Sequence, residues 1–245
     1  MRHKIHMLLL LLIISWGFNA YAIAVQSDST TAIAQQVVQN MGGSKEWNNT
    51  RFIAWSYNNQ YQVWDKREHR YRLEERNMVA VIDLVTKGGK TYKDGQEVQD
   101  PEEALRLKEL AYRSWVNNSL WLVLPFKLQE EGVRLKYLGQ DKTMDNSDAF
   151  VLEMTSDSVN LTPDCKYMVW IDKELGLVTQ WAFFKHYTDT SPVFTRRWTN
   201  YRNYGSIKLA SDRSNPQSDF EVFHIAVPTY IPDAVFDSPT PIDKF

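Results

Sequence analysis

Residues 100–126 read DPEEALRLKELAYRSWVNNSLWLVLPF, and this stretch decides the fold because strand-like segments lie on both sides of it. Asp100 is a helix-capping residue, Pro101 suits a first helical turn, and the acids Glu102-Glu103 complement the positive end of a helix dipole. Apolar side chains then recur on one helical face, at Ala104, Leu107, Ala111 and Trp115. The pattern predicts a helix that begins at Pro101 and ends near Asn117-Asn118.

The apolar residues 120–126 follow that helix and contain Pro125. Because proline has no backbone N–H, it disfavours both a regular helix interior and a central strand. We therefore expect this segment and the preceding helix to dock on a sheet through their side chains, as a movable lid over an apolar cavity. The alternative is a fixed plug that completes the core.

In the segments on both sides of this stretch, apolar and polar side chains alternate as they do in half-buried strands. A first helix is predicted over residues 30–41, ended by Gly42-Gly43. Short turns separate the predicted strands, which cover residues 51–57, 61–66, 70–75, 79–85, 89–93, 133–139, 149–155, 166–172, 177–187, 194–204, 206–211 and 220–227. Consecutive strands joined by short turns predict an antiparallel meander. The proline-containing tail, residues 228–245, should run extended over the surface.

The first 22 residues predict export. Basic Arg2 and Lys4 precede an apolar run over residues 7–14, and Ala20-Tyr21-Ala22 forms a signal-peptidase site. The alternative is a membrane anchor, but a span takes about 20 residues. No cysteine lies directly after the run, which excludes a lipobox. We expect a cleaved signal peptide (residues 1–22), a single domain (residues 23–245) and a periplasmic location in a Gram-negative bacterium.

Charge and cysteine content argue against nucleic-acid binding, an intrachain disulfide and a reactive thiol. Without the signal peptide the chain has 26 basic and 30 acidic residues, a net charge of −4, whereas nucleic-acid binding favours a basic face. Cys165 is the single cysteine, so no intrachain disulfide forms. It opens a predicted strand and is interpreted as an inert structural thiol.

Residues that suggest catalysis or metal binding do not form a recognisable motif. His69, His186 and His224 fall on three separate strands, whereas a metal site needs at least three convergent ligands. Asp65 and Asp83 can approach His69 across strands, which favours a surface ion pair. The chain has no nucleophile elbow, phosphate loop or zincin motif. We therefore expect no catalytic residues, no metal and no cofactor.

Large aromatic side chains are in excess, with 9 Trp among 245 residues. One interpretation is that they fill an ordinary core. The other is that some line an apolar cavity for a ligand. The candidate ligand-binding residues are Trp55, Trp64, Trp115, Trp121, Leu122, Phe126, Trp181 and Phe183.

A series of segments runs along most of the mature chain in this order: Gly42-Gly43 with Trp47 and Asn49-Thr50-Arg51; Val63-Trp64-Asp65; residues 115–122 continuing into Pro125-Phe126-Lys127-Leu128; Gly132-Val133; Leu161-Thr162-Pro163; Lys166-Tyr167 with Trp170-Ile171-Asp172; Leu177-Val178 with Gln180-Trp181 and Phe183-Phe184; and Trp198-Thr199-Asn200 with Tyr204-Gly205. Together they resemble an uncharacterised family of secreted bacterial proteins. Asn118 stands where the resemblance implies an acidic residue, which weakens a charge-based role there.

More distantly, the layout is similar to the LolA-like superfamily of periplasmic lipoprotein carriers. The resemblance implies a mainly β (α+β) fold, a curved antiparallel sheet or half-barrel with about two helices covering its concave face. It also implies a cavity for acyl chains, although fold alone does not determine function.

The first functional hypothesis is a non-catalytic periplasmic protein that binds a lipid or lipoprotein acyl chain. The second is a structural or interaction module of the envelope with a filled core, and the third is an unrecognised enzyme. We expect a monomer with no nucleic-acid partner and no transmembrane segment. The three hypotheses differ in what they predict behind residues 115–126: an open cavity, a filled core, or a cleft of polar groups with perturbed pKa values.

Overall fold

The computed structural model describes residues 29–156 and 164–245, and two helices come first. Helix α1 spans residues 29–40, close to its predicted bounds, and α2 spans Gly43–Asn49. The sequence pattern does not predict α2, because Gly42-Gly43 is typical of a helix end. Gly42 has a φ of 115°, and a Cβ there would lie 2.4 Å from the Ser206 carbonyl oxygen. A side chain is therefore excluded at this corner.

The strands after α2 form a seven-stranded antiparallel sheet. They are β1 (Phe52–Tyr57), β2 (Gln60–Asp65), β3 (Arg70–Glu75), β4 (Met78–Asp83), β5 (Gly89–Lys93) and β6 (Gln96–Glu97), with β14 (Phe223–Ala226) added beside β1. Consecutive strands pair as hairpins, as predicted. The β1–β2 turn includes Asn58 with a φ of 52°, a conformation that asparagine tolerates.

The second half of the chain forms a five-stranded sheet and a separate hairpin. In order across the sheet the strands are β11 (Phe194–Arg197), β10 (Val178–Phe184), β9 (Lys166–Asp172), β8 (Asp148–Ser156) and β7 (Val133–Lys142). The hairpin pairs β12 (Thr199–Tyr204) with β13 (Ile207–Asp212). The prediction of a single strand over residues 194–204 is wrong. The segment forms two strands, β11 and β12, which are separated by Trp198, whose ring is fully buried.

Backbone hydrogen bonds join these sheets into one open, curved strip. The Trp198 N–H donates to the Thr179 carbonyl oxygen at 2.9 Å, which brings the start of β12 beside β10. The Val222 N–H donates to the Ser211 carbonyl oxygen at 2.9 Å, which joins the segment before β14 to β13. The strip therefore runs from β6 at one end to β7 at the other. This is the mainly β fold with a curved antiparallel sheet that was predicted.

Helix α3 (Pro101–Lys127) connects the two ends of the strip and crosses its concave face. Its start was predicted correctly, because the Asp100 side chain accepts a hydrogen bond from the Glu102 N–H at 3.1 Å. The predicted end near Asn117-Asn118 and the irregular segment over residues 120–126 are wrong. Pro125 lies in the last turn, so it removes a single helical hydrogen bond, the one to the Trp121 carbonyl.

The main core lies between the concave face and helices α1 and α3. It contains side chains from the seven-stranded sheet, the five-stranded sheet and the β12–β13 hairpin. Every residue over 118–127 is buried, so the second half of α3 is enclosed on all sides. Asn118, Ser119 and Lys127 are polar members of this buried run.

A smaller core lies on the convex face of the seven-stranded sheet, under the C-terminal tail. Ile231 and Phe236 of the tail cover Phe52, Ala54, Tyr61 and Val63. The tail includes a 3-10 turn, Asp233–Phe236, and is otherwise without regular structure. The tail therefore shields apolar side chains that the outward face of the sheet would otherwise expose.

Candidate functional site

Four of the eight predicted ligand-binding residues belong to α3, and the other four belong to the main core or pack against it. Seven of them are buried, with exposed fractions between 0% (Trp55) and 9% (Trp64 and Trp121), and Phe183 is half-buried. Trp55 and Trp64 come from β1 and β2, and Trp181 with Phe183 from β10. Most of these rings belong to two aromatic groups, which we name after Trp64 and Trp121.

The Trp64 group consists of Trp47, Trp64, Trp115 and Phe126. Trp47 stacks on Phe126 with ring centroids 4.3 Å apart, and Trp64 meets Trp115 edge to face at 5.6 Å. Such pairs stabilise beyond their buried area. Trp47 belongs to α2, so the missed helix contributes one of the four rings.

A charged cluster borders the Trp64 group. The Lys66 Nζ lies 3.4 Å from the centre of the Trp47 ring and donates to the Trp47 carbonyl oxygen at 2.6 Å. Burial lowers the pKa of Lys66 to about 8, opposed by Glu130 and assisted by Lys127. Lys127 is itself buried and pairs with Glu130 at 3.0 Å.

The Trp121 group consists of Tyr57, Trp121, Trp181, Phe183, Phe194 and Phe220. Trp121 lies at its centre, with ring centroids 4.7 Å from Trp181, 5.2 Å from Phe194 and 5.5 Å from Phe220. Trp181 is buried, whereas Phe183, Phe194 and Phe220 are half-buried. The group therefore forms a continuous apolar path from the core to the surface.

Arg213 binds the backbone of α3 at Trp121. Its side chain is fully buried, and both Nε and Nη2 donate to the Trp121 carbonyl oxygen, at 3.0 and 2.8 Å. This is the carbonyl that Pro125 leaves without a helical donor. Burial lowers the pKa of Arg213 to about 9, so the guanidinium remains charged at neutral pH. Its Cζ lies 3.5 Å from the centre of the Trp198 ring.

Several buried donors face the interior without an acceptor. In the described part of the chain, indole N–H groups with no hydrogen-bond partner belong to Trp55, Trp115, Trp181 and Trp198 of the main core and to Trp170 of a separate apolar cluster. Buried indoles usually find an acceptor. Ordered water is a common partner of such buried polar groups.

Two clefts border the core. One, of about 630 Å³, is lined by residues that include Val193, Phe194 and Arg196, and it opens beside the Trp121 group. The other, of about 480 Å³, lies between the start of α1 and β7 and includes Ala34 and Leu135. The first cleft brings the surface next to a predicted ligand-binding region.

The residues that suggested catalysis have structural partners. The Asp65 carboxylate pairs with Arg51 at 2.9 Å and Arg70 at 2.8 Å, so the predicted pairing with His69 does not form there. The Cys165 thiol is buried and donates to the Lys185 carbonyl oxygen at 3.3 Å. Over residues 29–156 and 164–245, no group of three or more His, Cys, Asp or Glu side chains is placed to hold a metal ion.

A serine–histidine contact was not predicted from the sequence. The Ser56 hydroxyl lies 3.0 Å from His224 Nδ1, across the β1–β14 pair. Ser56 is a buried strand residue, and desolvation lowers the pKa of His224, assisted by Lys244. This is a cross-strand hydrogen bond at a register shift, and Lys244 is opposite in charge to the carboxylate that orients a catalytic histidine.

Fold and site together define a mainly β protein whose open, curved sheet encloses an aromatic interior around one helix. No family model matches the chain, and no curated protein does. Among solved structures, it is similar to a DUF1329 family protein from Desulfovibrio piger, with 9% identity over 84% of this chain and 96% of that chain and a TM-score of 0.44.

Two structures of MucB bound to MucA are also similar, one of them described as being from Pseudomonas aeruginosa. The Pseudomonas complex shares 14% identity over 62% of this chain and 50% of that chain, with a TM-score of 0.23. The other shares 12% identity over 62% and 49%, with a TM-score of 0.20. Within the described ranges, no helix is both long enough and apolar enough to cross a membrane.

Proposed function

We propose that the protein is a non-catalytic binding protein of the cell envelope that holds an apolar ligand, the acyl chain of a lipid or lipoprotein. The ligand site is the Trp121 group. The observation that carries the proposal is the continuous path from buried Trp181 through Trp121 to half-buried Phe194 and Phe220, beside an open cleft. The envelope location rests on the predicted signal peptide.

Entry of an acyl chain requires a part of the core that opens more easily than the sheet. In this proposal the second half of α3 is the part that moves, because it contacts the sheet through side chains and the Arg213 hydrogen bonds rather than through a strand ladder. We therefore still propose a movable lid, which is the helical second half of α3. Each buried methylene of the ligand contributes about 0.8 kcal/mol.

Fluorescent fatty-acid uptake by the purified mature protein tests the proposal, together with mass spectrometry of lipid extracted from it. We expect saturable uptake that Phe194→Gln weakens about tenfold, since losing one buried aromatic contact costs about 1.5 kcal/mol or more. The matched control is Phe223→Gln, because Phe223 is exposed on β14, outside the Trp121 group. Absence of saturable uptake by the wild-type protein would overturn the proposal.

The second candidate is a structural or interaction module with a filled core. It is favoured by the burial of seven of the eight predicted residues in mutual contact. This candidate predicts that excess fatty acid leaves the denaturant midpoint unchanged, whereas a ligand at 100 times its Kd would raise the free energy of unfolding by about 2.7 kcal/mol.

A further inference from the structure

Arg196 lies at the surface end of the Trp121 group. It is a half-buried residue of β11, and its Cζ lies 5.8 Å from the centre of the Phe194 ring and 5.5 Å from that of Phe220. Both rings belong to the apolar path that leads to Trp121. A positive charge therefore lies over the aromatic surface where the path meets solvent.

The charge of Arg196 is not balanced by its hydrogen-bond partners. Its Nη1 donates to the Arg213 carbonyl oxygen at 3.0 Å and to the Ser218 hydroxyl at 3.2 Å, and both acceptors are neutral. Arg197, the next residue along the strand, differs in this respect. Its guanidinium donates to both oxygens of the Asp145 carboxylate, at 2.5 to 3.1 Å. Of these two adjacent arginines, Arg197 is paired with a carboxylate, whereas Arg196 is hydrogen-bonded to neutral acceptors alone.

The cleft beside Arg196 is lined by positively charged side chains and by no negatively charged one. Its lining includes two basic side chains, Lys142 and Arg196. Lys142 is paired with Asp148 at 3.0 Å, so Arg196 supplies the unbalanced charge.

We propose that this cleft binds the anionic head group of a single-chain amphiphile, and that Arg196 recognises its charge. The inference rests on the proposed function, because the acyl chain would lie on the Trp121 group while the head group stays in the cleft. A carboxylate and a phosphate share the required chemistry, since a guanidinium donates two parallel hydrogen bonds to either.

Quenching of tryptophan fluorescence by three probes of equal chain length tests the assignment: oleate, oleyl phosphate and oleyl alcohol. We expect the wild-type protein to bind the better anionic probe about tenfold more tightly than the alcohol, as a charge-assisted hydrogen bond of about 1.5 kcal/mol requires. The tighter anionic probe identifies the head group. The preference should decrease as salt is added.

Arg196→Gln should remove the preference for the anion while binding of the alcohol is retained, and Arg196→Lys should keep part of it. The matched control is Arg197→Gln, which loses the pairing with Asp145 and should keep the full preference. Circular dichroism of each variant verifies folding. Equal binding of all three probes by the wild-type protein, or a preference retained in Arg196→Gln, would overturn this inference but not the proposed function. If no probe binds, the proposed function itself fails.

Discussion

At the residue scale, Arg213 explains how a proline is tolerated in a buried helix. Its guanidinium donates to the Trp121 carbonyl twice, to the Asp212 carbonyl at 2.7 Å and to the Ala210 carbonyl at 3.1 Å. An unpaired buried carbonyl would cost about 1–3 kcal/mol. Arg213 therefore replaces the donor that Pro125 lacks, from a position 92 residues along the chain.

Arg213→Met should lower the free energy of unfolding by about 2–4 kcal/mol, because carbonyls in the core lose their donor. Pro125→Ala restores an N–H to the helix, which can donate to the Trp121 carbonyl. We therefore expect Pro125→Ala to recover about 1 kcal/mol in the Arg213→Met background and much less in the wild-type protein.

Denaturant unfolding of the four proteins in this double-mutant cycle measures the coupling between the two positions. Effects that add to within about 0.5 kcal/mol would show that Arg213 does not act through the Trp121 carbonyl.

Lys66 predicts a specific dependence of stability on pH. Burial lowers its pKa from 10.5 to about 8, with Glu130 raising it and Lys127 lowering it. Between about pH 8 and pH 10.5 the unfolded chain holds more protons at this site than the folded one, so the Lys66 contribution to stability rises with pH. Lys66→Met removes this titration and should lose stability relative to wild type across that window.

The control for this measurement is Lys45→Met, because Lys45 is exposed on the neighbouring helix α2. Denaturant midpoints at pH 7.5 and pH 10 should show a difference between Lys66→Met and wild type that changes with pH. Lys45→Met measures the effect of replacing a surface lysine by methionine at the same pH values. A difference between Lys66→Met and wild type that stays constant would contradict the lowered pKa of Lys66.

At the element scale, the C-terminal tail is held to the convex face of the seven-stranded sheet by a buried arginine. The Arg72 guanidinium donates to the carbonyls of Val235 and Ser238, at 2.9 and 2.8 Å, and of Thr240 at 2.5 Å. Glu74 accepts a hydrogen bond from Arg72 at 2.6 Å and another from the Ile242 N–H at 3.1 Å. The tail thus supplies acceptors for a charge that the sheet buries.

Removal of residues 234–245 should lower the free energy of unfolding by about 2–4 kcal/mol, chiefly through loss of the buried Phe236 side chain and its apolar neighbours. Water replaces the lost hydrogen bonds of Arg72 in the shortened chain, so the effect is smaller than their number suggests. Urea unfolding measures the loss of stability. Binding of a hydrophobic dye measures the exposure of the apolar side chains that the tail covers.

The matched control removes only residues 243–245, which loses the hydrogen bond from the Phe245 N–H to the Tyr61 hydroxyl and leaves the Arg72 contacts intact. If both truncations have equal effects, the tail is held by its last residues rather than by Phe236 and the Arg72 hydrogen bonds.

At the scale of the whole molecule, an open strip of strands is closed by a helix. β6 and β7 are the outer strands of their sheets, and α3 runs from one to the other across the concave face. Since this connection passes through the core, a movement of α3 changes the interior without breaking strand pairs. The proposed ligand could therefore enter and leave through a movement of α3 while the sheet stays intact.

The export prediction belongs to this scale, and residues 1–22 lie outside the described part of the chain. We expect the mature protein to begin at Ile23, because Ala20-Tyr21-Ala22 places small residues at the two positions that a signal peptidase reads. N-terminal sequencing of the protein from a periplasmic fraction tests this. Recovery of Met1 in washed membranes would contradict it.

Most strands and the start of α3 could be predicted from the sequence because their determinants are local. Alternation of side chains along β3 and β9 gives their observed bounds, and the Asp100 cap with Pro101 gives the first turn of α3. An interior rich in large aromatic side chains was likewise expected from the residue types.

The course of α3 beyond Asn118 and the use of its aromatic side chains were decided by tertiary structure. Proline argues against a helix in an isolated segment, but the Arg213 side chain supplies the missing donor once the sheet has curved around α3. Likewise, no local pattern distinguishes Arg196 from Arg197, because the difference lies in Asp145, which is about 50 residues away and reaches only one of them. Local preferences therefore determine where elements begin, whereas contacts between distant residues determine where they end and which charges remain available.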